Sequence, residues 1–264
     1  MKAMLIVAAL FFTLMVSSAS ACDPRLPFCG NGIWLQESKP DKENSIDNPN
    51  IFSPEFHWFV VPPKLMNHPN VLLLESMGRK LVIGFGKTTA KNYTTQLAKY
   101  FPRFVAVVWD YEIGADQETA RYDLAFGKYW AHYYGLPFGV WTLQDTDVSL
   151  LYNGISFQEA YLLMDFIMPH LYFCWWYDKG GWATRWFWDY AQQTTPLIPI
   201  IPVATLSCTS LNAETNKQLS GTELLAHYSD LTPRPTAFCW WNVGKLDEDR
   251  LGAIHYIGDS MNYR

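Results

Sequence analysis

Charged residues are scarce in this chain: Asp, Glu, Lys and Arg together make up 17% of its 264 residues. Because disordered chains combine high charge with low hydrophobicity, this composition predicts a folded protein with a large apolar core. The formal net charge is −5, and the sequence contains no basic run. Nucleic acid is therefore not expected as a partner, since phosphate binding requires concentrated Lys and Arg.

Several motifs of catalysis and cofactor binding are also missing. The sequence has no Gly-x-Gly-x-x-Gly or Walker-type loop, so nothing in it supports nucleotide binding. A Gly-x-Ser-x-Gly elbow is absent, which disfavours a serine hydrolase. Neither Cys-x-x-Cys nor His-Glu-x-x-His occurs, and the six His residues are scattered along the chain. We therefore expect no metal and no other cofactor.

Long apolar runs are missing outside the N-terminus. There, an apolar stretch at 4–16 follows one Lys and precedes the small residues Ala19 and Ala21. This pattern predicts a secretory signal peptide at 1–21, cleaved before Cys22. A lipoprotein signal is disfavoured because Ala19 stands where such signals usually carry Leu. No other stretch is long enough to span a membrane, so we expect a secreted, extracellular protein.

Cysteines are few. Cys22 and Cys29 lie close together in a Pro-containing loop, which predicts a local disulfide in an oxidising compartment. Asn92-Tyr-Thr94 is an N-glycosylation sequon, so Asn92 is a candidate acceptor in a eukaryotic host. The remaining cysteines lie in apolar runs and their pairing stays open: Cys174, Cys208 and Cys239.

Aromatic residues, in contrast, are abundant, with 12 Trp, 15 Tyr and 16 Phe. Trp at this density exceeds what core packing usually requires. Sugar-binding clefts use flat aromatic faces of this kind, because a ring is apolar on its face and can carry a polar group at its edge. The composition therefore favours a polysaccharide or another glycan as the partner, although cores rich in Trp also exist.

Apolar runs of strand type alternate along the chain with segments of helical periodicity. Because fully apolar strands separated by helices indicate a parallel sheet covered on its outside, we predict an α/β fold. About eight strands suffice to close a single-domain (β/α)₈ TIM-type barrel at 51–264, after a loop-rich N-terminal region at 22–50 that contributes the first strand. An open doubly wound sheet is the alternative. The predicted strands are 33–37, 56–61, 81–85, 104–112, 136–142, 170–177, 197–205 and 236–243; the predicted helices are 93–100, 122–134, 157–167, 183–192, 223–229 and 249–257.

The fourth strand-like run ends in two acids, Asp110 and Glu112. Residues two apart in a strand share a face, so both acids are expected to point the same way as Ala106 and Val108. The C-terminal ends of barrel strands form the active-site face. Two carboxylates roughly 6–7 Å apart raise one pKa, which keeps one group protonated as a general acid. The alternative is a solvated strand end whose acids are structural.

Tryptophans stand near the ends of three other predicted strands. The tetrapeptide Phe-Cys-Trp-Trp occurs twice and supplies Trp175 with Trp176, and Trp240 with Trp241. Trp141 lies near the end of the fifth strand. In a strand covered on both faces, neighbouring residues point to opposite sides. We therefore expect one Trp of each pair to face the site and the other to pack against helices.

The order of these features resembles the chitinase-type (family 18) and hyaluronidase-type (family 56) glycoside hydrolases. In those barrels the third strand ends in a Gly-containing turn, as 81–86 does here, and the fourth ends in Asp-x-Glu, as Asp110-Tyr-Glu112 does. The sixth strand of the chitinase type ends in Tyr-Asp, which is similar to Tyr177-Asp178. A Trp on the eighth strand forms the floor of the sugar subsite, and Trp240-Trp241 stands at that point.

The resemblance implies a secreted glycoside hydrolase that cleaves a polysaccharide containing N-acetylhexosamine. Glu112 would protonate the glycosidic oxygen, and Asp110 would orient the N-acetyl group of the substrate, whose carbonyl oxygen attacks the anomeric carbon. Such substrate-assisted enzymes need no enzyme nucleophile. Tyr177 and Asp178 would hydrogen-bond the acetamido group.

The sequence also departs from that pattern. The chitinase signature is Asp-x-x-Asp-x-Asp-x-Glu, and Val105 and Val108 occupy its two earlier Asp positions. This departure supports an alternative, namely a catalytically silent barrel that binds carbohydrate like a lectin or is purely structural. Family 25 lysozymes also carry Asp-x-Glu on a barrel strand and remain a further alternative, but their first-strand Asp has no counterpart near Ile33-Trp34-Leu35.

Overall fold

The residues that the computed structural model describes form ten strands and five α-helices. The described residues are 22–37, 45–86, 90–111, 116–142, 154–156, 159, 162–169, 188–189, 192–193, 198–205, 207–209, 216–241 and 246–261. The strands are β1 Gly30–Trp34, β2 Trp58–Val61, β3 Lys80–Phe85, β4 Ala106–Asp110, β5 Phe138–Thr142, β6 Phe166–Pro169, β7 Val203–Thr205, β8 Ser207–Thr209, β9 Asn216–Gln218 and β10 Ala237–Trp241. The helices are α1 Pro69–Ser76, α2 Ala90–Tyr100, α3 Gln117–Tyr133, α4 Gly221–Ser229 and α5 Glu248–Ser260. Within these residues no helix combines the length and the hydropathy needed to cross a membrane.

Eight of the strands form one parallel sheet in the order β6-β5-β4-β3-β2-β1-β10-β7. The two edges of this sheet also meet. The N–H of Ile167 in β6 donates to the carbonyl of Pro199 at 3.0 Å, and the N–H of Ile201 donates back to Ile167 at 2.8 Å. Because 199–201 leads directly into β7, these bonds close the sheet. The (β/α)₈ barrel is confirmed and the open sheet is excluded; β8 and β9 form a separate antiparallel hairpin.

Alternation along the strands produces two apolar layers. Every second residue points into the barrel, where the buried side chains include those of Trp58, Val82, Val108 and Cys239. The residues between them point outward and pack under the helices, as Phe59, Ile83 and Val107 do. A strand buried on both faces must be apolar throughout, which explains the continuous apolar runs in the sequence.

The first strand begins three residues earlier than predicted, at Gly30 instead of position 33. Its sequence, Gly-Asn-Gly-Ile-Trp, resembles a loop because glycine is a poor strand former. Gly32 is nevertheless required inside this barrel. A Cβ at that position would stand 2.2 Å from the ring of Trp58, so no larger residue fits beneath that indole.

The sixth strand corrects the sequence prediction. β6 occupies Phe166–Pro169, whose first two residues lie in the predicted helix 157–167, whereas the predicted strand 170–177 lies outside the described residues. Phe166 and Met168 point into the barrel and Ile167 points outward. All three are fully buried. A short apolar run that is buried on every side has no periodicity to separate a strand from a helix.

Helix α1 was not predicted at all. Its sequence contains the run Val-Leu-Leu-Leu at 71–74, of which Val71 and Leu74 are buried while Leu72 and Leu73 are exposed. Apolar residues on the solvent side hide the amphipathic pattern that identifies a helix. The other four helices lie where predicted, within a few residues at each end.

The predicted disulfide between Cys22 and Cys29 is confirmed. It closes a loop directly before β1. Cys239 is a free thiol buried in the barrel interior, and burial raises its pKa. The predicted signal peptide at 1–21 lies outside the described residues, so it stays a prediction, as does the division of the chain at position 50. The strand β1 lies within 22–50 and is an integral part of the barrel.

A polar cluster ties α3 to the N-terminal ends of β5 and β6. Asp165 accepts hydrogen bonds from the backbone N–H of Phe138 at 2.8 Å and from His132 Nε2 at 2.6 Å, and pairs with Lys128 at 3.0 Å. Burial alone would raise the pKa of Asp165, but these three donors together hold it below its usual value. The carboxylate therefore stabilises the fold in its ionised form.

Replacing Asp165 with Asn should lower the free energy of unfolding by about 1–3 kcal/mol at neutral pH, because a charged acceptor is lost from buried donors. A carboxylate with a lowered folded pKa stabilises the protein above its unfolded pKa, about 3.9, and loses that contribution as pH falls through the folded pKa. The difference between wild type and variant should therefore shrink below about pH 4. Urea unfolding at neutral pH and at about pH 3 measures it. The exposed Asp230→Asn variant is the control; an equal difference at both pH values would contradict the prediction.

Candidate active site

Three tryptophans from three strands meet inside the C-terminal mouth of the barrel. Trp34 is the last residue of β1, Trp141 lies in β5, and Trp241 is the last residue of β10. The ring centroids of Trp34 and Trp141 are 3.9 Å apart, and those of Trp141 and Trp241 are 4.4 Å apart. Trp34 and Trp141 are buried, whereas Trp241 is partly exposed. We call these three residues the tryptophan floor, because they close the barrel interior directly below the mouth.

The structure distinguishes between the two tryptophans at the end of β10. Trp240 is fully buried on the helix-facing side, where its ring packs against Phe238 at 4.7 Å. Its indole Nε1–H donates to Asn31 Oδ1 at 3.1 Å. Trp241 points the opposite way, into the mouth. Of this pair, Trp241 is therefore placed to meet a ligand in the mouth, and Trp240 holds the outer layer together.

Asp110 stands beside the tryptophan floor. It is the last residue of β4 and lies in register with Trp141 on the neighbouring strand. Ala106 and Val108, four and two residues earlier, belong to the buried barrel interior, so Asp110 faces inward as well. Its side chain is partly exposed, as expected at the rim of the mouth.

Tyr111 extends the alternation of β4 by one residue. Its backbone N–H donates to the carbonyl of Trp141 at 2.8 Å, which continues the β4–β5 pairing. Its ring is stacked parallel to that of Trp109, with the two ring centroids 6.3 Å apart. Its hydroxyl donates to the carboxylate of Asp123 in α3 at 2.9 Å. Burial, together with the neighbouring Asp123 carboxylate, raises the pKa of Tyr111, so the hydroxyl remains a donor at neutral pH. The side of the strand opposite Asp110 is thus firmly anchored.

Five of the predicted site residues lie outside the described residues. Position 112 follows the described part of β4, and positions 175–178 belong to a long segment after β6. Their roles therefore stay predictions from the sequence. They are Glu112, Trp175, Trp176, Tyr177 and Asp178.

A groove of about 580 Å³ opens at the C-terminal ends of β2 and β3, beside α2. One residue of its lining is Gly84. A Cβ on Gly84 would come within 3.2 Å of the Trp34 ring and 2.5 Å of Val60. The groove therefore adjoins the mouth. The wall combines amide, ammonium and aromatic groups, which suits a ligand with many hydroxyl groups. The lining includes Asn67, Asn92, Gln96, Lys99, Tyr100 and Phe85.

The charges at this groove are partly compensated. Lys64 pairs with Glu37, and the ammonium of Lys99 lies 4.7 Å from the centre of the Tyr100 ring. Asn92 is exposed on α2, within hydrogen-bonding distance of Gln96 at 3.4 Å. A glycan on Asn92 would therefore stand at the rim of the groove. Glycosylation at Asn92 stays a prediction.

A second cavity of similar size, about 610 Å³, lies at the opposite end of the barrel. It is lined by the Asp165 cluster and by residues before β5, including Leu136 and Pro137. In barrels of this architecture the chemistry is placed at the C-terminal ends of the strands, and the N-terminal face contributes stability. Position, not volume, therefore selects the mouth and its adjoining groove as the candidate active site.

Two residues of the mouth were not found from the sequence. Trp34 was predicted inside a strand at 33–37, in which it is not a terminal residue. Had the strand been assigned to 30–34, alternation would have directed Trp34 inward together with Gly30 and Gly32. Gly84 was noted as part of a turn, but its contact with Trp34 depends on the pairing of β1, β2 and β3.

Comparison with solved structures finds glycoside hydrolases of the same architecture. A chitinase from Chromobacterium violaceum aligns with a TM-score of 0.61 and 10% identity, over 90% of this chain and all of that one. A class V chitinase from Pseudomonas fluorescens aligns with a TM-score of 0.63 and 10% identity, over 86% of this chain and 98% of that one. A GH128 endo-β-1,3-glucanase from Amycolatopsis mediterranei, in complex with laminarihexaose, aligns with a TM-score of 0.59 and 12% identity, over 87% and 99%.

The likeness to these proteins is a likeness of fold. No protein-family model and no curated protein matches the chain. The chain covers nearly the full length of the three solved structures, so the shared architecture is that of the whole barrel.

Proposed function

We propose that this protein is a glycoside hydrolase that cleaves a polysaccharide at the C-terminal mouth of its barrel. The observation that carries the proposal is the position of Asp110: an acid at the end of β4, facing inward, in register with a tryptophan of the floor. An acid beside a partly exposed aromatic ring suits a sugar substrate, because the ring of Trp241 can bind the apolar sugar face while the acid acts at the glycosidic bond. The shared fold with glycoside hydrolases supports this reading.

Glu112 is the proposed proton donor and Asp110 its assisting carboxylate. Tyr111 faces outward, so strand alternation carried one residue further predicts that position 112 shares the side of Asp110. The hydrogen bond from the N–H of Tyr111 to the carbonyl of Trp141 supports that prediction, because it holds the backbone in the β4–β5 pattern as far as Tyr111. A carboxylic acid near a second carboxylate has a raised pKa and can remain protonated as a general acid.

The proposed substrate is a polysaccharide containing N-acetylhexosamine. The resemblance of Asp110-Tyr-Glu112 to the chitinase motif supports this choice, and so do the two chitinases among the structures of similar fold. Tyr177 and Asp178 would then bind the acetamido group. The similar fold of a β-1,3-glucanase keeps a glucan without acetamido groups as the competing substrate.

Secretion is part of the proposal. The disulfide between Cys22 and Cys29 forms in an oxidising compartment, and it begins one residue after the predicted signal peptide. A polysaccharide substrate outside the cell is consistent with that route.

A second candidate is a barrel that binds glycans without cleaving them. Val108 lies in the apolar interior directly behind Asp110, at a position where the chitinase signature carries an acid. This observation favours a mouth that has an aromatic binding surface and fewer acids than the chitinase signature.

Turnover separates the two candidates. The purified protein is incubated with oligomers of chitin, of peptidoglycan and of β-1,3-glucan, and new reducing ends are measured. Release from the N-acetylated oligomers supports the hydrolase and its proposed substrate, whereas release from the glucan alone supports the hydrolase and refutes the substrate. Binding of any oligomer with no turnover across the panel favours the silent barrel.

Replacing Trp241 with Ala should weaken oligosaccharide binding about tenfold, the equivalent of about 1.4 kcal/mol, because the mouth loses its partly exposed stacking surface. Isothermal titration calorimetry with a non-hydrolysed oligomer measures the dissociation constant. Trp240→Phe is the matched control, since that ring faces the helices, and it should leave the constant unchanged. Equal losses in both variants would contradict the assignment of Trp241 to the mouth.

A further inference from the structure

Helix α3 presents three tyrosines to solvent on the outer wall of the barrel. Tyr122, Tyr129 and Tyr133 are 71%, 64% and 68% exposed. Their spacing of seven and four residues places them on one side of the helix, opposite the buried stripe, along about 16 Å of its length. We call these three residues the tyrosine strip. Large aromatic rings are often buried, so three exposed rings in one line form a candidate contact surface for an external partner.

Two of the three rings of the strip, those of Tyr129 and Tyr133, have aromatic neighbours. The ring centroid of Trp130 lies 5.6 Å from that of Tyr129 and 5.4 Å from that of Tyr133. Trp130 itself is partly buried against the core. Beyond the helix, Tyr133 contacts Tyr134 at 5.2 Å, and Tyr134 contacts the exposed Phe101 at 5.1 Å. These contacts restrict the rings of Tyr129 and Tyr133, so the two rings lose less conformational freedom when a ligand binds.

The outer side of α3 is almost uncharged. All residues of α3 are described, and Glu118 in its first turn is the charged residue that shares this side. A surface without cations does not suit an anionic membrane or a polyanion, which are bound by Lys and Arg. The other charged residues of α3 turn sideways to partners within the fold: Arg121 to Glu159, Asp123 to Tyr111, and Lys128 and His132 to Asp165.

The strip is also too small for a stable contact between two copies of the chain. Three rings of about 200 Å² each, about two-thirds exposed, offer about 400 Å². A stable protein interface buries about 800 Å² on each partner. A pyranose ring needs much less area, because it stacks its C–H face on one aromatic ring and hydrogen-bonds the phenol with its hydroxyl groups.

We propose that the tyrosine strip is a second glycan-binding site, which holds a neutral polysaccharide chain against the outer wall. Helix α3 follows β4, so its first turns lie at the mouth end of the barrel and Tyr122 is the strip residue nearest to Asp110 along the chain. The strip would keep the protein on an insoluble polymer while the mouth acts on a single chain. The choice of ligand rests on the proposed function, but the strip is separate from the mouth.

The test uses the purified protein and three insoluble neutral polysaccharides: chitin, cellulose and β-1,3-glucan. A variant carrying Tyr122→Ser, Tyr129→Ser and Tyr133→Ser is compared with the wild type and with Tyr256→Ser, which removes an exposed tyrosine from α5. Sedimentation of protein with polymer gives an apparent dissociation constant. The triple variant should bind at least tenfold more weakly to one or more polymers, and Tyr256→Ser should bind like wild type.

Two further measurements make the outcome decisive. Turnover of soluble oligosaccharides reports on the mouth and should be the same in all three proteins; a wild type without turnover would refute the proposed hydrolase and leave the strip intact. The strip as a glycan site is overturned if the triple variant binds every polymer as tightly as wild type, or if wild type binds none. It is also overturned if light scattering shows a wild-type dimer that the triple variant lacks, because a second copy would then cover the strip.

Discussion

Replacing Glu112 with Gln is expected to lower kcat on an oligosaccharide substrate about 10²- to 10⁴-fold, because Gln keeps the shape of the side chain and loses the proton that the leaving group needs. KM should stay within about a factor of three, since the aromatic surfaces that bind the sugar are untouched. Steady-state release of reducing ends measures both constants. The expectation follows from Asp110, which faces the mouth at the end of β4, and from the outward anchoring of Tyr111 between the two acids.

Glu118→Gln is the matched control for that variant. It makes the same chemical change six residues further along the chain, at an exposed position in the first turn of α3. It should leave kcat unchanged. A Glu112→Gln protein that hydrolyses its substrate as fast as wild type would remove Glu112 as the acid. If that protein also binds the substrate normally, the acid would instead be expected in the segment after β6.

Replacing Asn31 with Leu is expected to lower the free energy of unfolding by about 2–5 kcal/mol. Asn31 is fully buried on the outer face of β1, where its Nδ2 donates to the carbonyl of Ile254 at 2.9 Å and its Oδ1 accepts from Trp240 at 3.1 Å. Leu is similar in size and leaves both partners buried without this hydrogen bond. The thermal midpoint should fall by roughly 5–15 °C, as measured by calorimetry or circular dichroism.

A double-mutant cycle identifies the cause. Trp240→Phe removes the indole N–H, so adding Asn31→Leu to that background should cost less than adding it to wild type. The difference between the two costs is the coupling between Asn31 and Trp240. Asn50→Leu, at a partly exposed asparagine, serves as the control and should change stability by less than about 0.5 kcal/mol. Identical costs of Asn31→Leu in both backgrounds would show that the hydrogen bond to Trp240 is not the reason.

Residues near the strand ends show which parts of the site could be predicted. That Asp110 shares a strand face with Ala106 and Val108 follows from alternation once the preceding valines are recognised as a strand, and it is local information. The pair Trp240-Trp241 also alternates, but the sequence does not say which of the two points into the barrel. That depends on whether Phe238 or Cys239 lies inside, which only the structure shows. Trp34 was missed because the predicted strand, 33–37, begins three residues too late and makes Trp34 its second residue instead of its last.

The sixth strand shows a second limit of prediction from the sequence. Phe166, Ile167 and Met168 are buried from both sides, so their apolar pattern fits a helix as well as a strand. What makes them a strand is the set of bonds between Ile167 and both Pro199 and Ile201, which lie far along the chain. No local window contains that information.

By itself, the sequence determined the class of the fold, the disulfide between Cys22 and Cys29, and the fact that Asp110 shares a strand face with Ala106 and Val108. Each of these depends on residues that are near neighbours in the chain, so propensity, spacing and alternation suffice. Only the tertiary structure decided that Trp34, Trp141 and Trp241 share one floor, that Trp240 belongs to the outer layer, and that the tyrosine strip is left exposed. These features depend on the register in which distant strands pair around a closed barrel, and on what each helix face meets after closure.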